Sequence, residues 1–166
     1  RTLYKHFAGK EKLFASVLEA SATEVADGFA RRMDAVPLAE SAADVPRELV
    51  GIGHALVRQA IDNPEHFAMV RQITTESTHF PAPVLATWQE AGPLRVEALV
   101  ATRLARLADH GLLVTPDAAR AVLHFMTLVT VEAGPRGLRQ VGHLTAAQTE
   151  VAVTAAVDAF LHGYSA

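Results

Sequence analysis

Three groups of side chains in this sequence could do chemistry: eight histidines, eighteen carboxylates and a basic opening stretch. The histidines fall at 6, 54, 66, 79, 110, 124, 143 and 162, and no two are three or four apart. No helix face can therefore present the paired imidazoles of a usual metal site. There is no cysteine, which removes thiolate ligands and thiol chemistry. No nucleophile motif, glycine-rich phosphate loop or nucleotide signature is visible, so no catalytic residue, metal or cofactor is expected. The carboxylates sit mostly at helix starts and on polar faces, where capping and solvation account for them. Arg71 and Glu76 stand apart, on a segment apolar on more than one side, and one of them is expected to point inward. The opening stretch "RTLYKHFAGKEKLF" is different. Residues 1–12 hold Arg1, Lys5, Lys10 and Lys12 against Glu11, a local +3. With a net charge of −3, the remainder carries −6. A basic edge on an acidic body suggests that a polyanion is met at that end; the alternative is an accident of composition.

These groups need elements to position them. At 166 residues, half apolar and one fifth charged, the chain can bury a real core as one domain, or as a small piece plus one domain. Alanine and leucine are abundant and strand-favouring runs are scarce, so the expected fold class is all-α. No apolar run is long enough to span a membrane, no apolar leader opens the chain, and the lack of cysteine fits a cytoplasmic protein. Leu3 and Phe7 lie one helical turn apart, and Gly9 predicts a helix end. From Lys10 to about Val36 the apolar residues Leu13, Phe14, Val17, Leu18, Val25, Phe29 and Met33 recur at helical spacing. Pro46 to Asp62 predicts a second helix. In "DNPEHF", Asn63 can cap and Pro64 can open a third. Val84 to Gln89 is broken at Gly92-Pro93, and Leu94 to Ala108 follows, ending at His110-Gly111. Thr115 before Pro116 predicts a cap for a helix to about Glu132. Thr145 and Gln148 predict a capping box for the last helix, to about His162. The sum is seven or eight helices and no strand.

The opening stretch resembles the end of the helix-turn-helix of TetR-family bacterial transcriptional regulators. Thr2, Leu3, Tyr4, His6, Phe7, Lys10, Glu11 and Leu13 match, in order, the pattern T-[LV]-Y-x-[HY]-F, a short turn, then K-[ED]-x-[LI]. The stretch "NPEHFAMVRQITTESTHFPAPVLATWQEAGP" is similar, more loosely, to the regulatory domain of the AcrR/AefR-like branch. The resemblance implies two domains: residues 1–18 as the end of a helix-turn-helix whose first helices do not appear, together with the start of the linker helix, and 19–166 as a helical ligand-binding and dimerisation domain. It implies operator DNA as a partner, met by Thr2, Tyr4, Lys5, His6 and Lys10. A tyrosine hydroxyl and a lysine ammonium are suited to phosphate oxygens, while Leu3 and Phe7 would hold the recognition helix to its core. His6 is suited equally to phosphate contact or packing.

A regulator of this kind responds to a ligand. The resemblance and helix phase together suggest a small apolar or aromatic effector, with Phe67, Met69, Trp88 and Phe125 as cavity walls and His54, Arg71, His124 and Thr127 to orient it. Ordinary core packing is the alternative for each wall residue. The expected pocket lies between the helices at 46–62, 64–79, 83–109 and 116–132. The last two helices each show a surplus apolar face, which predicts a homodimer through Val122, Met126, Val129, Ala152, Ala155 and Ala159. The implied function is an effector-released repressor rather than an enzyme. A helical enzyme or carrier for an apolar molecule, or a TetR-like regulator with no small-molecule effector, remains open at this point.

Overall fold

The computed structural model describes the backbone of residues 2–75, 80–134 and 144–164, with side chains from residue 13 onward. Among these residues there are seven α-helices and one 3-10 turn: α1 Thr2–Asp34, the turn Ala42–Asp44, α2 Val45–Asp62, α3 Pro64–Thr75, α4 Ala82–Ala91, α5 Pro93–Asp109, α6 Ala118–Ala133 and α7 Ala146–Tyr164. None is long and apolar enough to cross a membrane.

Two helix ends follow the sequence closely. Gly111 takes φ +68°, a left-handed conformation that glycine adopts without a Cβ clash. The Leu112 N–H then bonds back to the Leu107 carbonyl at 2.8 Å, and Gly111 to Ala108 at 2.9 Å, which closes α5 in a Schellman motif. At α7, the Thr145 N–H bonds Gln148 Oε1 at 2.9 Å and the Gln148 N–H bonds Thr145 Oγ1 at 3.2 Å, the reciprocal box expected.

Two expectations are corrected. Gly9 does not end a helix, because α1 runs through it from Thr2 to Asp34. A single glycine costs a helix only about 1 kcal/mol, which continuity on both sides can offset. Residue 18, where the two domains are expected to meet at the start of the linker helix, lies on α1. Asn63 serves two helices: its amide donates to the Gln59 carbonyl at 2.9 Å at the end of α2, and its carbonyl accepts the Phe67 N–H at 3.2 Å at the start of α3. Thr115 is not the cap of α6. That role belongs to Asp117, whose Oδ1 accepts from the Arg120 N–H at 3.0 Å.

The main core lies where α2, α5, α6 and α7 meet the second half of α1. Phe29, Leu49, Ile52, Leu107, Phe125, Val129, Val153 and Phe160 are fully or almost fully buried there. A second, smaller cluster lies apart from it. Leu18 and Ala22 of α1 meet Ile73 of α3 and Trp88 of α4, flanked by half-buried Phe14, Met69, Val70, Phe80, Val84 and Leu85. The front of the predicted stripe is not core: Leu13 and Val17 are exposed.

Candidate functional site

The candidate site is α1 and what holds it. Its C-terminal end is fixed by charge. Glu48 of α2 is the one carboxylate buried among the described residues, at 0% exposure. Arg103 Nη1 reaches its Oε1 at 3.0 Å and Arg106 Nη2 its Oε2 at 2.5 Å. The Ala39 N–H also donates to Glu48 Oε2, at 2.6 Å. Arg103 donates onward to the Met33 carbonyl at 2.5 Å and the Val36 carbonyl at 3.4 Å, and Arg106 to the Ala39 carbonyl at 3.2 Å. Two arginines from α5 thus satisfy the last carbonyls of α1 and the loop beyond it, groups a helix end leaves unpaired, while the Glu48 carboxylate of α2 holds both guanidiniums and accepts the Ala39 N–H. Nearby, Arg32 pairs with Asp62 at 2.5 Å on the surface, where such a pair contributes little.

The middle of α1 is held differently. It rests on the small apolar cluster and on polar contacts that include Ser21 Oγ to His66 Nδ1 at 2.9 Å and, further along, the surface pair of Asp27 with Arg95 of α5 at 2.5 Å. His66 is buried, at 6% exposure, and burial pushes its imidazole below its ordinary pKa of 6.5. In the neutral ring the direction of the bond to the serine hydroxyl follows the imidazole tautomer. At the α4–α5 corner a Cβ on Gly92 would stand 2.9 Å from the Ala22 Cβ, so only glycine lets that corner approach α1 so closely. Trp88 is buried, and its Nε1 finds no acceptor among the described residues.

The residues expected to bind a ligand do not form one site. Trp88 and Met69 belong to the small cluster, with Phe67 half-buried on the same helix as Met69. Phe125 lies in the main core, stacked edge-on against Phe160 at 5.3 Å. His54 pairs with Glu150 of α7 at 2.7 Å, and His124 bonds the Tyr164 hydroxyl at 2.8 Å. Thr127 and Arg71 are exposed, so Arg71 does not point inward; Glu76 lies outside the described residues. Two hollows lie away from where the sequence puts a pocket. One, of about 450 Å³, is an open groove by Glu132, Leu144, Gln148, Val151 and Ala155. Another, of about 530 Å³, lies along the outer side of α1 by Glu19, Thr23, Asp27 and Arg31.

The expected dimer face needs a similar correction. Val122 and Val129 are buried in the chain's own core, Ala152 is nearly so, and Met126 is half-buried against it. The outward apolar side chains are Leu123 (63% exposed), Val131 (64%) and Val151 (70%), with Ala155 and Ala159 exposed on α7. The error is one of phase: α6 is apolar nearly all round, so its sequence does not say which stripe faces in. Thr2, Tyr4, Lys5, His6 and Lys10 lie on α1, with side chains outside the described residues. No group of three or more histidines and acids fit to hold a metal occurs among the described residues.

Sequence reasoning missed the charged knot and the Ser21–His66 contact. The signal for the knot was present: Glu48 keeps phase with Val45 and Ile52, and Arg103 with Val100 and Leu107. A charge in step with an apolar stripe is a buried charge that needs a partner.

Comparison with known proteins gives these elements a context. The family profile of the AefR-like transcriptional repressor C-terminal domain matches residues 47–166. No curated protein matches the chain. Among solved structures, a protein from Mesorhizobium loti MAFF303099 described as a TetR-family transcriptional regulator superposes with a TM-score of 0.76 at 25% identity, over 99% of this chain and 80% of that one. The flavonoid-responsive regulator FrrA superposes with a TM-score of 0.67 at 25% identity, over 99% of this chain and 79% of its own. The profile covers well over half the chain, and the family and both neighbours are transcriptional regulators, not enzymes. The chain belongs to the AefR-like branch of the TetR family of transcriptional regulators.

Proposed function

We propose that the chain is an effector-responsive repressor that binds operator DNA as a homodimer and releases it when a small aromatic molecule binds. The observation that carries this is the single span of α1. It runs unbroken from the basic end, where Thr2, Tyr4, Lys5, His6 and Lys10 lie, to a C-terminus tied into the charged knot. A shift at its middle is therefore transmitted to the DNA-facing end. An effector must bind one arrangement of α1 better than another to cause such a shift. FrrA's response to flavonoids supports an aromatic effector. The exposed Leu123, Val131 and Val151, with the small Ala155 and Ala159 beside them, support a two-fold bundle of α6 and α7 with their copies.

The filled main core and the open, peripheral hollows favour a second reading, a regulator of the same family with no small-molecule effector. One experiment separates the two. The intact protein is titrated onto duplexes selected from a random pool, with and without candidate aromatic compounds. Loss of affinity on adding a compound supports release by an effector; no loss with any compound supports the second reading. In the same assay Lys10→Ala is expected to weaken every duplex by a similar factor and to flatten the salt dependence by about one counterion. Sedimentation at micromolar concentration is expected to show a dimer in the wild type and a monomer in Ala155→Glu, which would bury like charges at the axis. A wild-type monomer would remove the two-headed mechanism.

A further inference from the structure

The indole N–H of Trp88 is a buried donor with nothing to donate to among the described residues. Native proteins rarely leave such a group unmet, because it forfeits its water without gaining a partner. Its buried neighbours, Leu18, Ala22 and Ile73, are apolar and offer no side-chain acceptor. We infer that this cluster between α1, α3 and α4 is the effector site, and that Trp88 donates to a carbonyl oxygen of an uncharged, flat aromatic ligand inserted there. The inference rests on the effector reading above and specifies its site.

Three features fit this occupant. Phe14 of α1 and Phe80, just before α4, form a half-buried stacked pair with centroids 5.4 Å apart and planes at 27°. A flat ring can take the place of either partner in such a stack. Met69, also half-buried, is an unbranched side chain that repacks around an irregular guest. Glu48 is the one charged residue buried among the described residues, and it is engaged in its own knot. Among the described residues, the buried side chains of the cluster thus give a charged ligand no counter-ion, whereas a neutral carbonyl needs only the indole donor. The site also reaches the element that must move. Leu18 and Ala22 belong to α1, and the contact of Gly92 against Ala22 leaves no slack at the α4–α5 corner. An inserted ring therefore displaces α1.

The test uses two compounds with one skeleton, flavanone and flavan, which differ in the C4 carbonyl. Affinities come from calorimetry and thermal melting on wild type and Trp88→Phe, which keeps an aromatic ring and removes the N–H. The wild type is expected to bind flavanone about tenfold more tightly than flavan, the worth of one good hydrogen bond. Trp88→Phe is expected to bring flavanone down to the affinity of flavan and leave flavan unchanged. Equal affinities in the wild type, or a variant that still prefers flavanone, overturn the site while effector binding itself stands. No binding of either compound overturns both. Should the variant fold poorly, the wild type suffices, since Trp88 is the chain's single tryptophan. Its emission must change in step with the melting shift, and flavanone binding that leaves the emission unchanged overturns the placement.

Discussion

The two supports of α1 differ in kind. At its C-terminus, carbonyls of the helix end and the following loop meet two guanidiniums that share one buried carboxylate, and the surrounding core is deep. At its middle, the contacts are chiefly a few apolar side chains, most of them half-buried, with a serine–histidine hydrogen bond beside them. Directional, charge-assisted bonds hold a helix end to one position. Dispersion contacts between adaptable side chains tolerate several arrangements. A helix supported in these two ways is expected to pivot about its fixed end instead of sliding, with its N-terminal part moving furthest. That part carries the residues expected to meet DNA.

The sharpest way to break the comparison is to remove the carboxylate. Glu48→Ala leaves Arg103 and Arg106 without their shared counter-charge and frees the Ala39 N–H. Breaking a buried pair in this way costs about 3–5 kcal/mol. Urea denaturation is expected to show a loss of that size. Hydrogen exchange is expected to show the end of α1 near Met33 opening before its middle, the reverse of the wild type. A loss below about 1 kcal/mol would mean that packing alone fixes the pivot.

The second effect compares two leucines of equal burial. Leu49 is 0% exposed in the main core and Leu18 is 1% exposed in the small cluster. Replacement of such a residue by alanine costs about 2.7–5 kcal/mol, and less where the surroundings can collapse into the space. Leu49→Ala is expected near the top of that range and Leu18→Ala near the bottom, because half-buried Phe14, Met69 and Phe80 can close over the gap. Equal losses, measured by the same denaturation, would show that the small cluster is as rigid as the core. The site proposed there would then need a preformed cavity that the described residues do not show.

How much of this was legible depends on the physics involved. Helix spans were readable because apolar spacing, prolines and caps are local signals: the Thr145–Gln148 box and the Gly111 stop need only a few consecutive residues. The TetR motif at the front was readable as a string of residue types. Which stripe of α6 faces inward was not readable, because Val122, Leu123, Phe125, Met126 and Val129 leave almost no polar face to orient it. The ligand residues were scattered for a related reason. Helix phase assigns a side to each residue but not the neighbour it meets, so His54 and His124 turn out to be partners of Glu150 and Tyr164. Glu48 was readable in principle, as a charge in an apolar stripe, but its two arginine partners lie more than fifty residues away.

The smallest expected effect concerns the polar contact at the middle of α1. Burial holds the His66 imidazole below its ordinary pKa of 6.5, so the folded chain binds a proton there less readily than the unfolded chain. Stability from this group is therefore fully present above about pH 6.5, where both states are neutral. It falls as the pH drops below that value, and the loss levels off once His66 itself protonates in the fold. Protonation also restricts the bond to Ser21, since Nδ1 of the imidazolium can only donate to Oγ. The cost is chiefly that of a charge in a buried place, and a contact which loosens in this way belongs to the yielding support, not the fixed one. Melting curves between pH 7.5 and pH 5.5 are expected to show the wild type losing more stability than His66→Gln, with a difference smaller than either effect above. Parallel pH profiles for the two proteins would show that His66 takes up its proton without resistance, and that the middle of α1 is already open to water.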